Sequence, residues 1–155
     1  MINKQNLKKF LKEAKINTYA AGGEGGEIKL KDGGKKFEYK KGSFCYQDIY
    51  FGFNPFIGQE IIFYNQKPVW SMNYYGQVII KSVPAEKVYL FLRQALSKVT
   101  EAKPFRGPAS FNRDDFKYAN IIKGQLENFS GQEKIFYKKK LIYTLKYQGG
   151  FVRNK

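Results

Sequence analysis

Phe56 to Val78 reads FIGQEIIFYNQKPVWSMNYYGQV, and 73 residues later Phe129 to Phe151 reads FSGQEKIFYKKKLIYTLKYQGGF. Ten of these 23 positions are identical and four more are conservative: Val69/Ile142, Trp70/Tyr143, Ser71/Thr144 and Met72/Leu145. Two copies of one packing unit show this pattern when each fills an equivalent core. The match extends N-terminally at an offset of 72, through Phe44/Phe116, Tyr46/Tyr118 and Gly52/Gly124. Phe10-Leu11-Lys12-Glu13-Ala14 also returns in kind as Phe91-Leu92-Arg93-Gln94-Ala95 at an offset of 81, so the first helix-to-sheet connection is 9 residues longer than the second. The extra length is the glycine-rich stretch from Ala21 to Gly34.

Each copy reads as one amphipathic helix followed by an antiparallel meander. Leu7, Phe10, Leu11 and Ala14 form an apolar stripe within Asn3 to Lys15, and Val88, Phe91, Leu92, Ala95 and Leu96 form one within Ala85 to Val99, behind Pro84. Runs rich in Tyr, Phe, Ile and Val predict strands at about 36–40, 44–51, 58–64, 69–75, 116–123, 132–137 and 141–147. Residues 76–81 add a strand leading into the second helix. The expected fold class is therefore α+β: a tandem duplication of helix plus meander, with two helices packed on antiparallel sheet. A chain of 155 residues, able to bury roughly 70% of its unfolded surface, is expected to be one domain of two pseudo-symmetric repeats, about 1–80 and 81–155.

A two-residue turn at Asn65-Gln66 would set Ile62 opposite Val69 and Glu60 opposite Ser71, leaving Trp70 and Met72 on the other face with Ile61 and Phe63. A shift by one residue would instead place Glu60 beside Met72. The first register is expected, because it separates the Trp70/Met72/Tyr74 and Tyr143/Leu145/Tyr147 stripes from the polar positions between them.

The chain has no histidine and one cysteine, Cys45. Imidazole bases and zinc or iron–sulfur ligand sets are therefore missing, and neither a metal nor a cofactor is expected. Cys45, between Phe44 and Tyr46, reads as a packing residue. The charged N-terminus and the lack of any long apolar run predict a cytoplasmic protein with no membrane partner. The net charge of +15 raises nucleic acid as a partner, but only four of the 28 basic residues are arginine, the side chain best suited to bidentate phosphate contacts. Lysine excess of this kind also follows from AT-rich codon usage.

Glu60 and Glu133 stand at equivalent places in Gly-Gln-Glu and could meet across a pseudo-twofold axis. Two carboxylates held close would split their pKa values into an acid and a base. The competing structural reading is a bulge and a cross-strand polar contact repeated in each half. The loop Ala20-Ala21-Gly22-Gly23-Glu24-Gly25-Gly26 could cradle a phosphate, although it lacks the Walker pattern and opens no helix. Arg106, within Pro104-Phe105-Arg106-Gly107-Pro108, is either an anion anchor or a pin for its own loop. Lys138, Lys139 and Lys140, with Lys134 and Lys146 around Tyr137 and Tyr143, would form a stacking platform if they shared a face.

Tyr19-Ala20, Tyr50-Phe51-Gly52, Phe56-Ile57-Gly58-Gln59-Glu60, Trp70 to Gly76, Pro104 to Pro108 and Tyr147-Gln148-Gly149-Gly150 together resemble an uncharacterised bacterial family, a domain of unknown function. The resemblance implies a module found alone or behind an XRE-type helix-turn-helix in transcriptional regulators. It implies no activity, cofactor or catalytic residue. This chain departs from the pattern in having no helix-turn-helix, and in carrying Gln148 where relatives often carry histidine.

Three functions follow as expectations. The first is a non-enzymatic ligand-binding or sensor module for an unidentified small molecule or protein, using Glu60, Trp70, Tyr74, Arg106, Glu133, Tyr143 and Tyr147. The second is nucleic-acid binding through a lysine-rich, tyrosine-bearing surface. The third is a histidine-free hydrolase or nuclease built on Glu60 and Glu133.

Overall fold

The structure, a computed structural model, describes residues 2–21 and 26–153. Helix α1 (Lys4–Ile16) starts where Asn3 Oδ1 accepts the N–H groups of Gln5 and Asn6 at 2.8 and 3.1 Å. That bond satisfies donors which the first helical turn leaves open. Helix α2 (Ala85–Leu96) starts behind Pro84. The strands are β1 (Ile28–Lys29), β2 (Lys35–Lys41), β3 (Phe44–Gly52), β4 (Phe56–Tyr64), β5 (Lys67–Val78), β6 (Ser110–Arg113), β7 (Phe116–Gln125), β8 (Asn128–Tyr137) and β9 (Lys140–Phe151). They form one antiparallel sheet in the order β1-β2-β3-β4-β5-β9-β8-β7-β6.

The expected α+β class is corrected by this sheet. Strands hold 51% of the described residues and helices 19%, which is a β-rich fold. The strands run well past their apolar stretches: β5 and β9 are 12 residues each. They also pair with one another, from Trp70 opposite Phe151 to Val78 opposite Tyr143. The strand expected at residues 76–81 is instead the end of β5, reaching Val78. The short edge strands β1 and β6 carry no apolar alternation that would announce them.

The register is corrected as well. The β4–β5 turn does have two residues, Asn65 and Gln66, with φ of 47° and 63°, the left-handed pair that matches strand twist. Three residues beyond it Val69 bulges out, so Phe63 pairs with Pro68 and Ile62 with Trp70. Glu60 therefore lies opposite Met72, on the face of Trp70 and Tyr74. The second half repeats the device. Lys138 and Lys139 turn with φ of 47° and 66°, Ile142 bulges, and Ile135 pairs with Tyr143.

Both helices cover that same face. Phe10 stacks on Phe44 with centroids 4.9 Å apart, and Phe91 stacks on Phe116 at 4.9 Å. Trp70 is fully buried, its ring stacked on Phe129 and its Nε1 donating to the Leu126 carbonyl at 3.1 Å. The opposite face carries Gln59, Asn73, Ile121, Lys123, Lys146 and Gln148, all exposed. Among the described residues no helix is long and apolar enough to cross a membrane.

Candidate functional site

A cavity of about 160 Å³ opens beneath the C-terminal end of α1 and the flank of α2. Its floor is Tyr46, Asp48, Glu60 and Tyr74 of the sheet. Phe37, Phe56, Tyr89 and Leu92 wall it, and Lys15 and Arg106 reach in from α1 and from the connection after α2.

The floor depends on a glycine. Gly58 lies directly opposite Tyr74, and a Cβ there would fall 2.3 Å from the Tyr74 hydroxyl oxygen. The absent side chain lets the ring cross β4, where its hydroxyl donates to Asp48 Oδ1 at 2.7 Å. Gly131 and Tyr147 repeat this in the second half: a Cβ would meet the ring at 2.1 Å, and Tyr147 donates to Asn120 Oδ1 at 2.8 Å. The glycine of each Gly-Gln-Glu is thus the seat of a tyrosine.

The two glutamates point to the same side and each takes its own cation. Lys15 Nζ contacts Glu60 at 2.9 and 2.6 Å and donates to the Phe105 carbonyl at 2.5 Å. Arg106 Nε contacts Glu133 Oε1 at 2.7 Å, while the Tyr118 hydroxyl donates to Oε2 at 2.6 Å. Both carboxylates are buried, and neither shares a hydrogen bond with the other. A buried pair of this kind fixes geometry more than it adds stability. Burial depresses the Lys15 ammonium pKa, opposed chiefly by the charge of Glu60.

Among the described residues no cation lies within hydrogen-bonding distance of Asp48. Burial, and then the charge of Glu60, raise its pKa to about 7, against the opposing pull of the Tyr74 hydrogen bond, Lys15 and Arg106. Burial also lifts the Tyr46 phenol well above its ordinary value.

The equivalent place in the second half is closed by the chain itself. Gly107 N–H donates to the Tyr118 hydroxyl at 3.1 Å, and Asn120 Nδ2 donates to the Gly107 carbonyl at 3.0 Å. Phe105 stacks on Phe129 at 4.1 Å. Register makes the correspondence strict: Asp48 pairs with Glu60 and Tyr46 with Ile62, as Asn120 pairs with Glu133 and Tyr118 with Ile135. Among the described residues no main-chain group bonds the Tyr46 hydroxyl or Asp48 Oδ2, and both side chains line the cavity.

Of the residues expected to bind a ligand, the structure brings Glu60, Tyr74 and Arg106 to the cavity. Glu133 and Tyr147 belong to the closed second half. Trp70 is held in the core, and Tyr143 is fully buried with a hydroxyl that meets no hydrogen-bond partner among the described residues. Its burial removes Tyr143 from any stacking platform, and Tyr137 packs against Phe116 at 4.7 Å. Residues 22–25 of the glycine-rich loop, considered as a phosphate cradle, lie outside the described residues.

Lys15, Tyr46 and Asp48 were not singled out from the sequence. A signal for each existed. Lys15 continues the buried i, i+4 row of Leu7 and Leu11, where a lysine needs an anion. Asp48 corresponds to Asn120 at the offset of 72 already set by Phe44 and Tyr46, an acid where the other copy has an amide.

No curated protein and no solved structure matches the chain. The family model for a domain of unknown function, DUF5680, matches residues 48–152, a span that holds Asp48, Glu60, Tyr74 and Arg106. The chain belongs to the DUF5680 family.

Proposed function

We propose that this protein is a non-enzymatic small-molecule-binding module whose site is the cavity of the first half. The supporting observation is the contrast between halves. Matched floors carry matched tyrosine and carboxamide or carboxylate groups, but the Phe105–Gly107 segment fills one, while Tyr46 and Asp48 line a cavity in the other. Apolar walls around a few convergent polar groups are the usual make-up of a ligand site. Lys15 and Thr18 at the end of α1 and Tyr89, Leu92 and Arg93 of α2 all border it, so a ligand would tie the two helices together. That coupling would suit a sensor. The single cysteine fits a reducing cytoplasm as the place of action.

Native mass spectrometry of protein purified gently at low salt tests the proposal. A discrete small adduct is expected on the wild type and is expected to disappear in a Leu92→Trp variant, whose indole occupies the cavity wall. An adduct indifferent to Leu92→Trp, with that variant folded by circular dichroism, refutes the assignment to this cavity. Co-purifying nucleic acid would move the function to the exposed sheet face, where Lys117, Lys123 and Lys146 lie.

A further inference from the structure

The closed half serves as a template for what the open half takes, an argument that rests on the binding-module reading above. In the second half, Phe105 lays a ring on Phe129. Two residues on, Gly107 offers an N–H to Tyr118 and a carbonyl oxygen to Asn120 Nδ2. Each of these receiving groups has a partner in the first half by strand register. Phe56 stands for Phe129, since each lies opposite a glycine of the neighbouring strand, Gly76 or Gly149. Tyr46 stands for Tyr118 and Asp48 for Asn120.

Only one of those substitutions changes the hydrogen-bonding sense. Asp48 Oδ1 and Asn120 Oδ1 both accept from a tyrosine, Tyr74 or Tyr147, at 2.7 and 2.8 Å. The remaining atom is a donor in the second half, Nδ2, and a carboxylate oxygen in the first. A partner that offered an acceptor to Asn120 must offer a donor to ionised Asp48. The other cations at the cavity are committed: Lys15 to Glu60, Arg106 to Glu133 and Lys35 to Glu27 at 3.2 Å, while Arg93 lies over the Tyr19 ring.

We propose that the cavity binds a small aromatic amine, its ring packed on Phe56 and its ammonium donating to Asp48 Oδ2 and the Tyr46 hydroxyl. A cavity near 150 Å³ accommodates a benzene-sized ring, and 160 Å³ leaves room for a short chain. The aromatic wall also suits a cation, which is attracted to ring faces.

Asp48 is faced by Lys15 from α1, Glu60 from β4, Tyr74 from β5 and Arg106 from the connection after α2, with Tyr46 and Tyr50 on its own strand. With its pKa at about 7, the carboxylate is the minor form at pH 6 and the major form at pH 8. Amine affinity should rise about tenfold between those pH values.

Isothermal titration calorimetry with 2-phenylethylamine, 2-phenylacetamide and phenylacetate tests the class, because the three share a ring and one methylene and differ in the terminal group. The amine is expected to bind wild type best at pH 8, to weaken about tenfold at pH 6, and to weaken at least tenfold in Asp48→Asn. The variant recreates the Asn120 arrangement and should fold. Preference for the acetamide or the acetate, or amine binding unaffected by Asp48→Asn, overturns the amine while leaving the cavity as a binding site. Absence of binding by all three also overturns it, and the Leu92→Trp adduct experiment then decides the module reading separately.

Discussion

Asp48 is buried, and the charge of another carboxylate, Glu60, acts on it. Its pKa of about 7 in the folded protein compares with about 3.9 in an unfolded chain. The folded state therefore holds the proton more tightly. Its stability contribution is fully present below about pH 4 and is lost as pH rises through about 7. A difference of about 3 units at about 1.4 kcal/mol each sets an upper bound of about 4 kcal/mol for ionising this group in place. Asp48→Asn removes that cost and keeps an oxygen for the Tyr74 hydroxyl, as Asn120 does for Tyr147. The variant should match wild type near pH 4 and exceed it by about 2–4 kcal/mol at pH 8, where about 1 kcal/mol corresponds to 2–4 °C in a domain of this size. Urea titrations of both proteins from pH 4 to 9 measure the difference directly, with titrating groups remote from Asp48 cancelling. A variant less stable than wild type at pH 8, or a difference that does not change between pH 4 and pH 8, refutes the reasoning.

Other substitutions test the parts around it. Arg106→Met leaves Glu133 buried without its cation and should cost about 3–5 kcal/mol, whereas Arg106→Met combined with Glu133→Leu should recover much of the loss; equal costs in chemical denaturation would mean the pair is not coupled. Tyr143→Phe deletes a buried hydroxyl that meets no partner among the described residues, so a gain of about 1 kcal/mol is expected, and a loss of that size would reveal a bond not seen here. Lys139→Gly relieves a left-handed φ of 66° and should raise the thermal midpoint, corresponding to about 0.5–1 kcal/mol; a lower midpoint would contradict the turn geometry.

The helices were legible because their apolar stripes repeat at a period that few other structures share. Leu7, Phe10, Leu11 and Ala14 all proved buried, as did Val88, Phe91, Leu92, Ala95 and Leu96. The weight of the sheet was not legible. The β5–β9 pairing joins positions 70–78 to 143–151, a long-range contact that no local window contains. The register failed at one residue. Val69 and Ile142 are apolar and β-branched, so their bulges leave no polar or glycine mark, yet each moves a whole strand segment to the other face. The glutamate expected opposite Ser71 consequently became the buried partner of Lys15.

That single displacement also decides where chemistry can sit. With Glu60 and Glu133 on the helix side, each half must neutralise a buried carboxylate, and the two halves do so from different elements. The first uses Lys15 from its helix, and the second uses Arg106 from the proline-bracketed connection that follows α2. Committing the connection to Glu133 draws Phe105 and Gly107 over the second floor. Where the helix supplies the cation instead, no equivalent segment is anchored over Tyr46 and Asp48 by the described residues. The cavity is thus a consequence of which element carries the counter-charge. Moving the charge should move the cavity: Lys15→Met should weaken ligand binding and destabilise the floor together, while Arg106→Met should loosen the cover of the second floor. Hydrogen exchange separates the two, because Gly107 N–H should lose more protection in Arg106→Met, which removes the ion pair with Glu133, than in Lys15→Met, which removes only the bond to the Phe105 carbonyl. Protection of Gly107 unchanged in Arg106→Met would mean that the Phe129 stacking and the bonds from Lys15 to the Phe105 carbonyl and between Gly107, Tyr118 and Asn120 hold the segment without the ion pair.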